Sequence, residues 1–277
     1  MKFSVLMSVY KGDKAEFVKI ALDSIINQTK KPDEIVLVED GPVSEGLERL
    51  IVEYEKEYSI LKVIRQKENS GLGNALKIGL ENCSYSLVAR MDSDDISVLD
   101  RFEKQLKCFE EDDSLSIVGG FIEEFIGEKE NVIGIREVPL DNNEIREYIK
   151  SRCPLNHATV MFKKEEVMKV GNYIEWHYNE DYYLWIRMYL ANCKFKNLKD
   201  SLLKVRVGDE MYQRRGGLKY FKSEEKIQRF MLKNKMISFI KYIYNVSIRF
   251  ILQVLMPNKL RGWVFKKFAR RGAKSGK

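Results

Sequence analysis

The sequence is poor in the residues that carry many kinds of chemistry. It has four cysteines in 277 residues, Cys83, Cys108, Cys153 and Cys193, and no two form a CxxC pair. That spacing argues against a zinc ribbon or a disulfide framework and reads as reduced thiols of a cytoplasmic protein. Only two histidines are present, and no Ser/His/Asp or Cys/His arrangement stands out, so nucleophilic catalysis of that kind has no candidate set. The first strand-like run is not followed by a glycine-rich phosphate loop; Tyr10-Lys11-Gly12-Asp13 has neither GxGxxG nor GxxxxGK spacing. Met1 to Tyr10 lacks a cleavage site and does not read as a signal peptide. Internal repeats and low-complexity segments are missing as well.

Acidic residues are scarce at one end only. Residues 214–277 contain 18 Lys+Arg and 2 Asp+Glu, which leaves 30 basic and 39 acidic residues in 1–213. An acidic body with a basic tail argues against a nucleic-acid-binding domain. The apolar run at 236–256 is interrupted by Lys241, Asn245 and Arg249. Each charge near a bilayer centre would cost about 2.5–3.5 kcal/mol, so a spanning helix is disfavoured. An amphipathic helix lying on an anionic membrane surface is expected instead, reinforced by Lys259, Arg261, Lys266, Lys267, Arg270 and Arg271, with Trp263, Phe265 and Phe268 as apolar partners. The alternative is a helix packed on the body with a basic end.

What is present is strand–helix alternation. Phe3 to Val9 and Glu34 to Val38 are continuous apolar runs of strand length, as buried parallel strands require. Leu61 to Ile64 and Leu87 to Met91 predict two more strands, with helical patterns at 16–26, 47–58 and about 74–81 between them. Such alternation predicts an open α/β sheet, in which ligands bind at the carboxyl ends of the strands. Tyr10, Glu39-Asp40 and Asp92-Ser93-Asp94 all fall there. Beyond residue 100 the pattern loosens. A helix is expected over 102–109, a strand over 116–120, irregular chain with a small helix near 142–150, and a short strand at 159–162. Asn179-Glu180-Asp181 opens an aromatic-rich helix to Leu190; strands are expected at 195–198 and 202–207, and helices from Gly217 onward.

The sharpest local feature is Arg90-Met91-Asp92-Ser93-Asp94-Asp95, with three carboxylates in four residues at the end of an apolar strand. Like charges this close repel unless a cation sits among them, and a divalent metal carrying a phosphorylated ligand is the economical cation. A solvated turn with Asp95 or Asp100 capping the next helix is the plainer reading. Glu39 and Asp40 could accept from a base or a ribose, or form an ordinary turn. Gly71 and Gly73 in Asn69–Asn74 read as close-packing and turn residues at a helix start, and Asn74 is a candidate donor contact. His157 is either a ligand contact or a satisfied structural residue. Glu180-Asp181 is either a helix cap or a pair that includes a general base.

Taken in order, FSVLMSVYKGD, EIVLVEDGP, NSGLGNALKIGL, ARMDSDDIS with Arg101 behind it, PLNHATVMFKK and NEDYYLWIRM resemble the family 2 glycosyltransferases of the GT-A fold, over Phe3 to about Arg206. The likeness is greatest to bacterial members that build cell-surface polysaccharides. The resemblance implies an α/β GT-A fold, a Rossmann-like open and mostly parallel sheet with flanking helices, in a domain taken as 1–215; the charge and apolar pattern of the tail adds a basic helical membrane-associating extension over 216–277. It implies an inverting hexosyltransferase that moves one sugar from a nucleotide-sugar, UDP-linked by expectation, to a glycan or lipid-linked glycan acceptor. Tyr10 and Asp40 would contact the nucleoside, with Glu39 beside them. Asp92 would meet the ribose or the metal side, Asp94 would ligate Mn²⁺ or Mg²⁺ on the diphosphate, and Arg90 would position that motif. Asp181 would be the base, and Glu180 would touch acceptor or donor. Asp95 has no assigned role beyond a structural or helix-start contact.

Two departures stand out. The family's Asp-Asp-Gly-Ser is Glu39-Asp40-Gly41-Pro42 here, and the Gln-x-x-Arg-Trp motif of processive synthases is missing, Gln213-Arg214-Arg215 not being that motif. The second favours single transfer over polymerisation. The expected location is cytoplasmic, at the inner face of the cell membrane. A sugar-phosphate nucleotidyltransferase and a non-catalytic membrane scaffold are the competing readings. The first needs a glycine-rich loop after the first strand, and the second leaves the carboxylates Asp92, Asp94 and Asp181 unexplained.

Overall fold

The computed structural model describes residues 1–208 and 216–257. The tail positions singled out above, from Lys259 to Arg271, and Gln213-Arg214-Arg215 lie outside the described residues. Strand β1 (Phe3–Val9) is the hub: it pairs in parallel with β2 (Glu34–Glu39) on one side and with β4 (Leu87–Arg90) on the other, and β3 (Leu61–Arg65) extends the sheet beyond β2. The apolar runs form these strands because both faces of the sheet are covered. Phe3, Val5, Met7 and Val9 point into one layer with helices α1 (Ala15–Ile26), α2 (Glu45–Glu57) and α4 (Arg101–Glu111). Leu6 points into the other, with α3 (Leu72–Asn82) and α7 (Glu180–Leu190). The side-chain alternation of a strand thus feeds two cores at once.

Close approach of α3 to the sheet depends on one glycine. A Cβ at Gly79 would lie 2.3 Å from Leu6 Cδ1 and 2.8 Å from Val38 Cγ2, so no larger residue fits there without movement. At the carboxyl end of β2, Gly41 has φ of +82°, and a Cβ there would meet the Asn69 nitrogen at 2.6 Å.

The second half is mixed. β8 (Met161–Lys163) lies antiparallel to β4, followed by β6 (Ile117–Phe125), β9 (Phe195–Arg206) and the two-residue β5 (Ile96–Ser97), giving the order β3-β2-β1-β4-β8-β6-β9-β5, with β7 (Val132–Arg136) on β6. The two strands expected at 195–198 and 202–207 are one. β9 runs parallel to β6, and its register jumps from Leu198 opposite Gly120 to Ser201 opposite Phe121, so a bulge absorbs the polar Lys199-Asp200. Two short helices, α5 (Asn142–Tyr148) and α6 (Lys164–Lys169), complete this part, and a 3₁₀ turn, His157–Thr159, leads into β8. α5 is capped by Asp141, whose carboxylate accepts from the amides of Asn143 and Glu144.

Helices α8 (Leu218–Lys233) and α9 (Phe239–Phe250) follow, and a π-helical turn, Ile251–Leu255, continues α9. Ile227 and Met231 of α8 join the same core as Trp185 and Phe162, so α8 packs on the body. Among the described residues no helix is long and apolar enough to cross a membrane.

Candidate active site

The parallel block places three polar clusters on one edge. β1 ends at Tyr10, β2 at Glu39-Asp40, and β4 at Arg90 with Met91-Asp92 beyond. Strand order reverses between β1 and β4, the place where open α/β sheets form a crevice.

β4 ends on a charge. Arg90 is 2% exposed, and its Nη2 lies 2.5 Å from Asp92 Oδ1. The fully buried Arg101 holds the strand end from below by donating to the Arg90 carbonyl at 2.7 Å. The loop at the end of β1 is tied to the acidic motif: Asp13 Oδ2 accepts from the Tyr10 amide at 3.0 Å and from Ser93 Oγ at 3.0 Å. Asp95 is buried and accepts from the Arg206 amide at 3.2 Å, which joins the motif to β9; burial, then Asp92 and Asp94, push its pKa well up. Its role is the structural contact expected, made to a strand more than a hundred residues away.

Asp92, Asp94, Asp95, His157 and Asp181 line one cavity of about 690 Å³, together with Lys14, Phe17, Glu124, Arg136 and Arg206 among others. Asp94 is exposed as a residue, yet desolvation of its carboxylate and the charges of Asp92 and Asp13 push its pKa up to about 6. Asp13 is raised in the same direction, by desolvation first and by Asp92. Burial is the larger cause of both shifts, and the neighbouring carboxylates add to it, a repulsion that a bound cation would relieve. Among the described residues no group of three or more His, Cys, Asp or Glu side chains is arranged to hold an ion unaided. Two carboxylates plus substrate phosphates are the usual environment of Mg²⁺, so Asp92 and Asp94 fit an ion that arrives with a diphosphate.

Asp181, in the first turn of α7, lines the same cavity. Its Oδ1 accepts from the Tyr182 amide at 2.7 Å, and its Oδ2 accepts from Cys153 Sγ at 3.6 Å. Desolvation raises its pKa, against the pull of the Tyr182 amide, Arg136 and Arg90. Glu180 is buried, and burial followed by the charge of Asp181 pushes it up to about 8. His157 shares a 3.1 Å hydrogen bond with Tyr173 Oη and meets Trp185 edge-on; burial of its ring and the Arg90 charge keep it neutral. It also contributes to the cavity wall.

Three residues expected at the donor make local contacts. Both carboxylate oxygens of Asp40 are engaged, Oδ1 by the Ser70 amide at 2.7 Å and Oδ2 by the Gly71 amide at 3.0 Å, so Asp40 anchors the loop before α3. Asn74 Nδ2 donates to the Ser70 carbonyl at 2.8 Å within that loop. Glu39 is buried against Arg65, 3.3 Å from its Nε, and burial pushes its pKa to about 7. In this conformation these residues shape the edge of the site without lining the cavity. Tyr10 is exposed at the same edge, its ring lying over Gly12.

Asp13, Glu124, Arg136, Cys153 and Arg206 escaped the sequence reading. Each reaches the site through a contact between distant segments. Arg206 stacks its guanidinium between Phe17 at 3.9 Å and Phe125 at 4.8 Å, an arrangement no local pattern announces.

The sequence pattern described as Glycosyl transferase family 2 matches residues 4–170, more than half of the chain. The chain belongs to that family. This glycosyltransferase is 38% identical over 265 residues to the amylovoran biosynthesis glycosyltransferase AmsE of Erwinia amylovora, covering 96% of the chain and 98% of the relative. It is 38% identical over 270 residues to an Escherichia coli UDP-Gal:alpha-D-GlcNAc-diphosphoundecaprenol beta-1,3-galactosyltransferase, covering 98% and 97% of the two chains. Among solved structures, S. aureus TarS 1-349 in complex with UDP-GlcNAc matches with a TM-score of 0.64 at 18% identity, over 91% of this chain and 73% of that one. The mannosyltransferase PcManGT from Pyrobaculum calidifontis, in complex with GDP-Man and Mn²⁺, matches with 0.64 at 13% identity, over 94% and 71%. At such identities the structural likeness establishes the fold, and the glycosyltransferase has the GT-A fold.

Proposed function

We propose that this glycosyltransferase moves one hexosyl group from a UDP-sugar to a hydroxyl of a lipid-linked glycan, with inversion at the anomeric carbon, in the assembly of a surface polysaccharide. The observation that carries the reading is that Asp181 and the Asp92/Asp94 pair line a single cavity. Asp92 and Asp94 suit a cation, and Asp181 is a carboxylate whose raised pKa suits a general base. The names of the E. coli and Erwinia relatives support the donor, the lipid-linked acceptor and the polysaccharide.

The reaction is a single displacement. Asp181 accepts the proton of the acceptor hydroxyl, the acceptor oxygen bonds to the anomeric carbon, and the bond from that carbon to the diphosphate oxygen breaks. Asp181 is held for this by the Tyr182 amide and Cys153. Asp92, fixed by Arg90, and Asp94 would hold Mn²⁺ or Mg²⁺, which when bound neutralises the leaving diphosphate. Much of the rate advantage is in aligning the two substrates, for which the enclosing wall of Phe17, Arg136 and Arg206 is suited. The competing nucleotidyltransferase and scaffold readings lose ground to the family membership and to the shared cavity.

A panel of nucleotide-sugars screened for Mn²⁺-dependent release of nucleoside diphosphate tests the reading. Release from one UDP-sugar, stimulated by a lipid-linked acceptor, is expected. No release from any member of the panel would contradict it.

A further inference from the structure

Helix α9 is mounted inside out. Its polar side faces the protein: Asn245 is 3% exposed and donates to the Lys150 carbonyl at 3.0 Å and to Gln228 Oε1 at 2.8 Å. Arg249 pairs with Glu224 at 2.8 Å and donates to the Ser151 carbonyl at 2.5 Å. Tyr242 Oη donates to Glu225 at 2.6 Å, and Gln253 Nε2 to Glu224 at 2.6 Å. The opposite side carries the apolar residues and leaves them in solvent: Ile240 is 81% exposed, Tyr244 58%, Ile251 51% and Leu255 62%, with Phe239 and Ile243 beside them. The spacing of 240, 244, 251 and 255 places these on one stripe of the helix and its continuing turn. A surface helix of a soluble protein normally turns its apolar stripe to the core. Here ion pairs and hydrogen bonds to backbone carbonyls secure the reverse orientation.

We infer that this face is the seat of an anionic lipid bilayer, with α9 lying in the headgroup region and its apolar stripe buried among the acyl chains. Charge selects this occupant over a second copy of the chain. Lys233 and Lys235 are exposed just before α9. The sequence after residue 257 holds Lys259, Arg261, Lys266, Lys267, Arg270 and Arg271 and no acidic residue. An apolar stripe preceded by exposed lysines and followed in the sequence by further cations suits anionic headgroups, and like charge disfavours pairing of two such chains.

The face is also joined to the site. Lys150 and Ser151, whose carbonyls hold α9, lead directly to Cys153, which donates to Asp181, and the Tyr182 hydroxyl donates to the Ile149 carbonyl at 2.6 Å. The bilayer-facing helix is thus bolted to the segment beside the base, so an acceptor carried on a lipid would approach from the side on which the proton is removed. This last step rests on the proposed lipid-linked acceptor; the bilayer contact itself does not.

The test is flotation of the full chain with vesicles of equal parts phosphatidylglycerol and phosphatidylcholine, comparing it with the double variant Ile240→Asp/Ile251→Asp. Both positions are exposed, so the variant folds, as its circular dichroism and melting temperature will show. About a tenfold or greater loss of vesicle binding by the variant is expected, with nucleotide release from the donor in solution unchanged. Equal flotation of the two proteins would overturn the inference, as would wild-type chain that fails to float. A wild-type dimer that the variant converts to monomers would overturn it too, by assigning the face to a second copy. Flotation reads the bilayer face and nucleotide release reads the activity, so failure of either is distinguishable from failure of the other.

Discussion

Arg90 Nη2 lies 2.5 Å from Asp92 Oδ1 at the end of β4, and its charge reaches carboxylates on two separate segments of the site. It opposes the rise in pKa at Asp94 and Asp95 on one side and at Glu180 and Asp181 on the other. Replacing it with Met should therefore move the base upward. The acidic limb of the pH profile of kcat/KM, where Asp181 must be ionised, is expected to shift to higher pH in Arg90→Met, with activity at neutral pH falling at least about tenfold. An unmoved acidic limb would show that Arg90 acts only on structure.

Asp94 begins to lose its charge near pH 6, where its pKa has been pushed. Below that value protons compete with a divalent ion. Apparent affinity for Mn²⁺, measured by titration calorimetry in the presence of UDP, should fall about tenfold for each pH unit below 6. Asp94→Asn should bind weakly at every pH and remove that dependence. Affinity independent of pH over about two units around pH 6 would place the ion on other ligands.

Stability should depend on pH in the direction opposite to ordinary acid denaturation. Glu39 is raised from 4.5 to about 7 and Glu180 from 4.5 to about 8, so across that window the folded chain holds protons that the unfolded chain releases. Their contribution is complete below the unfolded value and is lost as pH rises through the folded one. The melting temperature without metal is expected to fall between about pH 5.5 and 8, and Glu39→Gln, which keeps a neutral side chain, should fall less steeply. A melting temperature that climbs across this range in both proteins would contradict the shifts.

Gly79 lets α3 seat on the sheet, and an added Cβ would meet Leu6 and Val38 well inside contact distance. Gly79→Val is expected to cost about 1–3 kcal/mol in denaturant unfolding through overpacking. A stability equal to wild type would mean that the helix shifts freely.

Much of this architecture is legible in the chain itself. FSVLMSV and EIVLV are buried on both faces, and a strand so placed is apolar throughout, which is why β1 and β2 are plain in the sequence. The carboxylates at Asp92 and Asp94 stand out because they close an apolar strand, and Asp181 because it opens an aromatic-rich helix. Short elements secured by partners are not visible in the same way: α6 has six residues, β5 has two, and β9 carries a bulge that sequence spacing reads as a break. Asp40, expected at the donor, also accepts from the Ser70 and Gly71 amides, because a loop with few side chains needs acceptors for its amides, while Asn74 donates to the Ser70 carbonyl. The amphipathic character of 236–256 was evident. That its polar face is the buried one was not, because only tertiary partners at Lys150, Ser151 and Glu224 decide it.

The central claim is the division of labour across the cavity, with Asp92 and Asp94 holding the donor's diphosphate side and Asp181 taking the acceptor's proton. The most direct measurement compares donor binding and sugar transfer in Asp181→Asn and Asp94→Ala with the UDP-sugar identified in the panel and Mn²⁺ present. Asp181→Asn is expected to bind the donor within about twofold of wild type and to lose transfer by at least about a thousandfold, while Asp94→Ala loses metal-dependent donor binding itself. Transfer by Asp181→Asn at the wild-type rate would contradict the account.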